Sequence, residues 1–398
     1  MSLLRDRAFR AAAFAHWAVD VMNSQYPLLL AALSGPLGLS YTIVGILSAI
    51  YSLSGSLSQP IFGHWADRMG HRRIAAGGLL VMLFSFAAAL LLEGMATLGI
   101  LILMAVGSAA FHPAAAAEAA RRGRVHLDRQ ENTAASIFFL FGQGGLFLGP
   151  LFGGALLDWG GSRALLLLLL LLIPVGWLLL GGGRRSVPKA SPTPQVASPE
   201  PKRLAVPLMV LLLFTSLVAA RSWVQTSMTA FLPKYLGDLG FRPSLYGGVT
   251  SLFMGASAIA GVLGGMLADR YGKRSVVSLS LMLAAPPLAL IPNYQSAGMI
   301  TLLSFWAGGA LGVSYSILVV LGQNMFPRRE GMASGLVLGF TFASGSIGAL
   351  FSGMLVDLAG FQAFYGALAG LAVLAGLLGL GLRNLEGQAR FAPEHTVH

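Results

Sequence analysis

Cysteine is absent from the 398 residues, which excludes disulfide bridges and any thiolate ligand or nucleophile. Charge is scarce as well: Asp, Glu, Lys and Arg make up 10% of the chain, against about 25% in soluble domains. A water-soluble globule of this size needs more polar surface, so the chain belongs in a membrane. Acidic residues are the scarcer sign, 15 against 26 Lys plus Arg, for a formal net charge of +11. No G-x-x-x-x-G-K-S/T loop, HExxH, GxSxG, metal-spaced histidine cluster or interfacial DxD-type pair occurs. The chain is therefore expected to be neither an ATP-driven pump nor an enzyme, and no cofactor or resident metal is expected.

What the chain has is apolar length. Runs such as "ALLLLLLLLIPVGWLLL" and "GALAGLAVLAGLLGLGL" are apolar on every face. With their flanks they reach the roughly 20 residues needed to cross about 30 Å of hydrocarbon. Backbone groups in lipid must be satisfied internally, so the spans are helices. Twelve are expected, at 9–33, 41–62, 74–94, 97–119, 132–157, 164–182, 204–231, 244–267, 275–293, 298–323, 331–356 and 362–382. The first continues past Asp20 without an A-x-A-like site, so it reads as a span rather than a cleavable signal peptide. The one long polar connection, "GGGRRSVPKASPTPQVASPEPKR" at 181–203, reads as a flexible cytoplasmic linker. It separates an amino-terminal six-helix bundle, 1–180, from a carboxyl-terminal one, 204–398, with a short tail.

Placing the amino terminus in the cytoplasm puts 22 of the 26 Lys and Arg on the inner side. Only Arg163, Lys234 and Arg242 fall outside, and Arg221 lies within a helix. Both termini should therefore face the cytoplasm of a multi-pass inner (plasma) membrane protein. The positive charge is topology in the lipid bilayer, not nucleic-acid binding, which would need a basic folded surface.

Two charged clusters repeat. "GHWADRMGHRRI" (63–74) and "GGMLADRYGKRS" (264–275) both join the second and third spans of a half, and "GGALLDWGG" and "SGMLVDLAG" close the fifth and eleventh at Asp158 and Asp357. Two halves of the same orientation follow: an all-α membrane protein of two parallel pseudo-symmetric six-helix bundles. "GHWADRMGHRR" resembles the loop signature G-x-x-x-D-R-x-G-R-R/K of the major facilitator superfamily. The resemblance implies a cytoplasmic gate built from Gly63, Asp67, Arg68, Gly70 and Arg72, repeated as Asp269, Arg270, Gly272 and Arg274. It also implies that Asp67 lies against the helix beginning near Gly331 when the outer side is closed, at the positive end of that helix dipole.

Four stretches, "AHWAVDVMNS" (15–24), "SLSQPIFGHWADR" (56–68), "AFHPAAAAEAAR" (110–121) and "PRREGMASGLVLGFTFASGSIGAL" (327–350), resemble the fosmidomycin-resistance branch, which exports drugs or small molecules. "GLFLGPLFGG" (145–154) is similar to the G-x-x-x-G-P-x-x-G-G signature of drug/proton antiporters. There Gly145, Gly149, Gly153 and Gly154 permit close helix approach and Pro150 bends the span. The upstream glycine of that signature is Ser136 here, and the arginine usual in the fourth helix is missing.

Ionisable residues at mid-membrane depth are functional candidates by default. His16, Asp20 and Asn23 share a helical face by their spacing. Arg221 stands near the position equivalent to Asp20 in the second half, one turn before Gln225, and the opposite charges could face each other across a central cavity. A static buried ion pair is the plainer alternative. The ring of His112, before Pro113, could be a proton acceptor, or simply packs against a carbonyl. Tyr315, with Ser314 and Ser316, could supply hydroxyl donors. Glu118 beside Arg121 and Arg122 reads as an interfacial partner, and Asp158 and Asp357 as structural anchors. The expected activity is alternating-access export of a small molecule from the cytoplasm by proton antiport, by a monomer. Proton-coupled uptake of a small anionic or sugar-like solute is the rival, and a nontransporting receptor a more distant one.

Overall fold

Lipid offers no partner to a backbone N–H or C=O, which leaves helices or a closed barrel, and runs apolar on every face select helices. The computed structural model describes residues 6–126, 131–181, 207–325 and 330–381, and no strand occurs among them. The 181–203 linker beyond Gly181, Arg129, Arg328, Arg329 and the tail with Arg383 and Arg390 lie outside the described residues.

Helices α1 (Arg7–Asn23) and α2 (Gln25–Ser34) form the first crossing. The next are α3 (Tyr41–Met69), α4 (His71–Leu91), α5 (Met95–His126), α6 (Glu131–Ala164) and α7 (Leu169–Gly181). The second half has α8 (Leu208–Asp238), α9 (Pro243–Tyr271), α10 (Lys273–Leu290), α11 (Ala297–Asn324) and α12 (Glu330–Leu380). One of these holds two crossings, α12, which turns at Gly360; α6 turns at Gly160 and Gly161, so that its last residues lead through a short 3-10 turn at 165–168 into α7 as the sixth crossing, and backbone angles leave the helical region at each turn. Counted so, the described residues make twelve crossings, in the predicted order.

The expected single helix over 9–33 is interrupted at Ser24. Pro27 has no N–H to offer the Asn23 carbonyl. The Ser24 hydroxyl and the Gln25 amide both turn back onto the Val21 carbonyl, at 2.7 and 2.6 Å. The eighth helical segment also outruns its predicted end at 231, continuing through Pro233 to Asp238. In the first half α1 packs on α5 and α6; across the halves α3 packs on α12 and α6 on α9.

Candidate functional site

The predicted face of α1 meets α5 and α6. His16 and Asp20 are buried, and each Asp20 oxygen faces one imidazole: Oδ2 lies 3.2 Å from His16 Nε2 and Oδ1 3.2 Å from His112 Nε2. The far nitrogens are anchored on backbone carbonyls, His16 Nδ1 to Phe138 and His112 Nδ1 to Ser108, both at 2.8 Å. A carbonyl oxygen only accepts, so each Nδ1 carries hydrogen, and in a neutral ring Nε2 is then a bare lone pair. Each Nε2 to carboxylate contact is therefore satisfied only by a proton, on the ring or on the carboxyl. The three ligand atoms lie within 4.8 Å of one another, so the cluster suits a cationic occupant, whether protons or a metal ion.

Asn23 ties this triad to its surroundings. Its amide donates to Asp20 Oδ1 at 3.1 Å and to Ser108 Oγ at 2.9 Å, and its carbonyl accepts from Tyr51 at 3.2 Å. Tyr51 in turn stacks on Tyr26, centroids 3.9 Å apart. Room for the triad comes from Gly142 on α6: a Cβ there would sit 2.5 Å from His16 Nε2 and 2.8 Å from Asp20 Oδ2. Gly142→Ala should therefore lower the melting temperature, with overpacking costing about 1–3 kcal/mol. Gly144→Ala is the control, because its Cβ would meet Trp17 Cδ1 at an ordinary 3.6 Å. Equal melting of the two variants would contradict the packing account.

Arg221 does not pair with Asp20; among the described residues its partners lie in its own half. Its side chain is buried, the residue being 4% exposed. Nη2 donates to the Leu311 carbonyl at 3.2 Å, and the guanidinium carbon lies 4.9 Å from the Tyr315 ring centroid. Neither neutralises the charge. Its Nε and the nearby Gln225 Oε1 are buried without partners. The expected serine donors are already committed to carbonyls, Ser314 to Leu311 at 2.9 Å and Ser316 to Gly261 at 2.7 Å. Tyr315 is left as the hydroxyl of that group.

The α6 glycines form a packing seam. Any Cβ at Gly145, Gly149 or Gly153 would overlap the Trp17 carbonyl, the Ser24 hydroxyl or the Gln25 amide of the first crossing. Gly149 keeps its carbonyl open to Gln25 Nε2 at 2.9 Å. Gly154 instead faces Gly247 and the Pro243 carbonyl of α9, and Gly247 in turn meets the carbonyl of Pro150. The seam thus reaches into the other half.

That end of the molecule is latched. Asp357, on α12, accepts the Tyr41 and Thr42 amides that start α3, at 3.0 and 2.7 Å. Asp158, on α6, accepts from Ser244 at the start of α9 at 2.6 Å. Each repeated aspartate therefore holds a helix start of the opposite half: Asp357 caps the free N–H groups of α3, where the helix dipole favours negative charge, and Asp158 accepts a serine hydroxyl at α9. Tyr41 adds a 2.8 Å bond to Asp238, which also pairs with Lys234. Deeper on the same side, Ser251 donates to the Phe147 carbonyl and joins α9 to α6.

The charged loops lie at the other end, and their two copies fold alike. Gly70 and Gly272 close α3 and α9 at φ +100° and +85°, each donating to the carbonyl four residues back, Ala66 or Ala268, at 2.9 Å. Positive φ explains why both copies need glycine there. Gly63 packs toward Pro113, 3.8 Å from an added Cβ. Asp67, however, has a side chain 75% exposed and bonds His71 at 3.2 Å, so the expected docking on the helix near Gly331 is not formed while the Asp357 end is closed. Arg68, Asp269 and Arg270 are exposed too, Arg270 over the Tyr271 ring, while Arg72 and Arg274 are partly buried. Glu118 holds Arg121 and Arg122 at 2.7 and 2.9 Å, as an interfacial partner should.

Sequence reasoning passed over Gly142, Ser108, Tyr41 and Ser244. Gly142 had a signal: it extends the small-residue rhythm of Gly145 and Gly149 one turn earlier. The other three announce themselves only through tertiary contact.

Comparison with known proteins adds a family. A model described as Major Facilitator Superfamily matches residues 12–248 and 211–396. The fosmidomycin resistance protein of Escherichia coli (strain K12) is 27% identical over 372 residues, 89% of this chain and 87% of that protein. A Bacillus subtilis (strain 168) transporter, described as uncharacterized and MFS-type, is 26% identical over 375 residues, 90% of this chain and 88% of its own. Among solved structures, a bacterial homologue of the human lysosomal transporter Spinster, inward-facing and unoccupied, superposes with a TM-score of 0.80 at 16% identity. That match covers 99% of this chain and 100% of the other. A D-xylose–proton symporter superposes with a TM-score of 0.69 at 14% identity, covering 94% and 95%.

Proposed function

The chain belongs to the major facilitator superfamily, and from that premise we propose that it exports a small molecule from the cytoplasm in exchange for protons. The observation that carries this reading is the triad: two imidazoles, each with its Nδ1 spent on a carbonyl, converge on the one carboxylate of Asp20. Stripped of protons it contains two contacts between acceptors, so proton release must loosen the packing of α1 on α5 and α6. That ties protonation to the arrangement of α1, α5 and α6.

The distribution of Lys and Arg orients the molecule. It assigns the latched end to the outer face and the Gly70/Gly272 end to the cytoplasm, so the conformation is closed outside. Opening outward would require Asp357 to release the α3 amides and Asp158 the Ser244 hydroxyl. The α6 seam supports antiport through its likeness to antiporter signatures, and the name of the Escherichia coli relative supports export.

Arg221 supports an anionic group on the substrate, because a buried guanidinium with no carboxylate partner among the described residues lacks its counter-charge. Flux into and out of proteoliposomes under an imposed pH gradient, screened over phosphonates, sugar phosphates and neutral amphipathic drugs, tests the whole reading. Acidic exteriors should accelerate export of an anionic member. Arg221→Lys should weaken its binding about tenfold or more, since a point charge cannot reproduce the planar fork. Acceleration of uptake by the same gradient would establish the symport rival instead.

A further inference from the structure

An apolar concavity of about 490 Å³ opens on the outside of the amino-terminal bundle, between α3, α4 and α5. Its floor is backbone: Gly78 of α4 and Gly107 of α5 approach so closely that an added Cβ on either would overlap the other's carbonyl region. Its width comes from Gly77, where an added Cβ would find nothing within 4 Å. One wall carries Phe62 and Trp65, edge to face at 5.4 Å, and exposed Met69. From Arg73 to Val81 the groove follows α4 for eight residues, about 12 Å at 1.5 Å per residue. That is close to the depth of one leaflet's hydrocarbon, half of about 30 Å.

The mouth of the groove is charged on one side only. Arg73 lines it, is exposed, and makes no ion pair with a described residue. Trp65 stands near the same level, the depth at which indole rings favour the headgroup region. An acyl-sized apolar slot ending in an unpaired guanidinium matches a lipid with an anionic headgroup, and the inner leaflet, where the charge distribution puts this end, is the anionic one. We propose that this groove is a specific binding site for one anionic phospholipid of the cytoplasmic leaflet, with an acyl chain along Gly77 and the phosphate at Arg73. The site lies outside the triad and the Arg221 region and does not depend on what the protein transports.

Native mass spectrometry of the full chain in detergent, with phosphatidylglycerol or phosphatidylcholine of identical chains added, tests it. Wild type should retain one phosphatidylglycerol at least about fivefold more than phosphatidylcholine, the factor expected of one arginine at an interface. Arg73→Gln should erase that preference while keeping a basal level of both lipids. Gly77→Leu should lower retention of both, with an unchanged melting temperature showing that the fold persists. Equal retention of the two lipids by wild type, or an equal loss of preference in Arg68→Gln, which does not line the groove, would overturn the assignment.

Discussion

Asp20→Asn should leave the protein folded and able to exchange substrate while removing its response to a pH gradient. An asparagine amide can donate to one bare imidazole nitrogen without any proton, so the variant triad needs fewer protons than the wild type, whose Asp20 faces both rings at 3.2 Å. One proton moved across one pH unit is worth about 1.4 kcal/mol, or about a tenfold substrate gradient. Wild type in such a gradient should sustain about that ratio for one-for-one exchange, and Asp20→Asn a ratio near one. Counterflow of labelled substrate with no pH gradient should persist in both. Loss of counterflow together with an unchanged melting temperature would mean that Asp20 binds substrate rather than protons.

Asp357→Ala should shift the molecule toward the state open at the opposite end. It loses the two amide bonds at 3.0 and 2.7 Å that join α12 to the start of α3. A carboxylate at an exposed helix start contributes about 0.3–1 kcal/mol through the dipole, and up to about 2 in sheltered geometry. The ratio of open to closed should therefore rise about 2- to 30-fold. Adding Asp158→Ala, at the pseudo-symmetric contact with Ser244, should compound the shift. Because the chain has no cysteine, spin labels on Leu39→Cys and Arg242→Cys report this end without background. An unchanged distance distribution in the double variant would remove the two aspartates from the latch.

These sites differ in how far a sequence can disclose them. Twelve crossings were legible because lipid leaves a long apolar run one backbone solution, and the two halves because "ADRMG" and "ADRYG" close their helices at matching glycines, Gly70 and Gly272. The break at Ser24 was legible too, through Pro27, but length alone was read there. Asp20 stood out as a mid-membrane charge, yet pseudo-symmetry suggested Arg221 as its partner. The contact that forms instead joins Asp20 to His112, 92 residues away, and nothing local encodes it. Asp158 and Asp357 were visible as a repeat. Their partners lie at helix starts of the opposite half: for Asp357 two backbone amides, which carry no side-chain signature, and for Asp158 one serine hydroxyl among many, Ser244.

Substrate-driven proton movement in vesicles carrying a trapped pH-sensitive dye tests the central claim most directly. Protein is reconstituted with substrate loaded inside and no initial pH gradient, and dilution into substrate-free buffer starts the exchange. Antiport predicts that substrate leaving the vesicle draws protons in and acidifies the lumen, and that Asp20→Asn passes substrate without the acidification. Alkalinisation of the lumen as substrate leaves, or substrate efflux with no dye response in wild type, would contradict it.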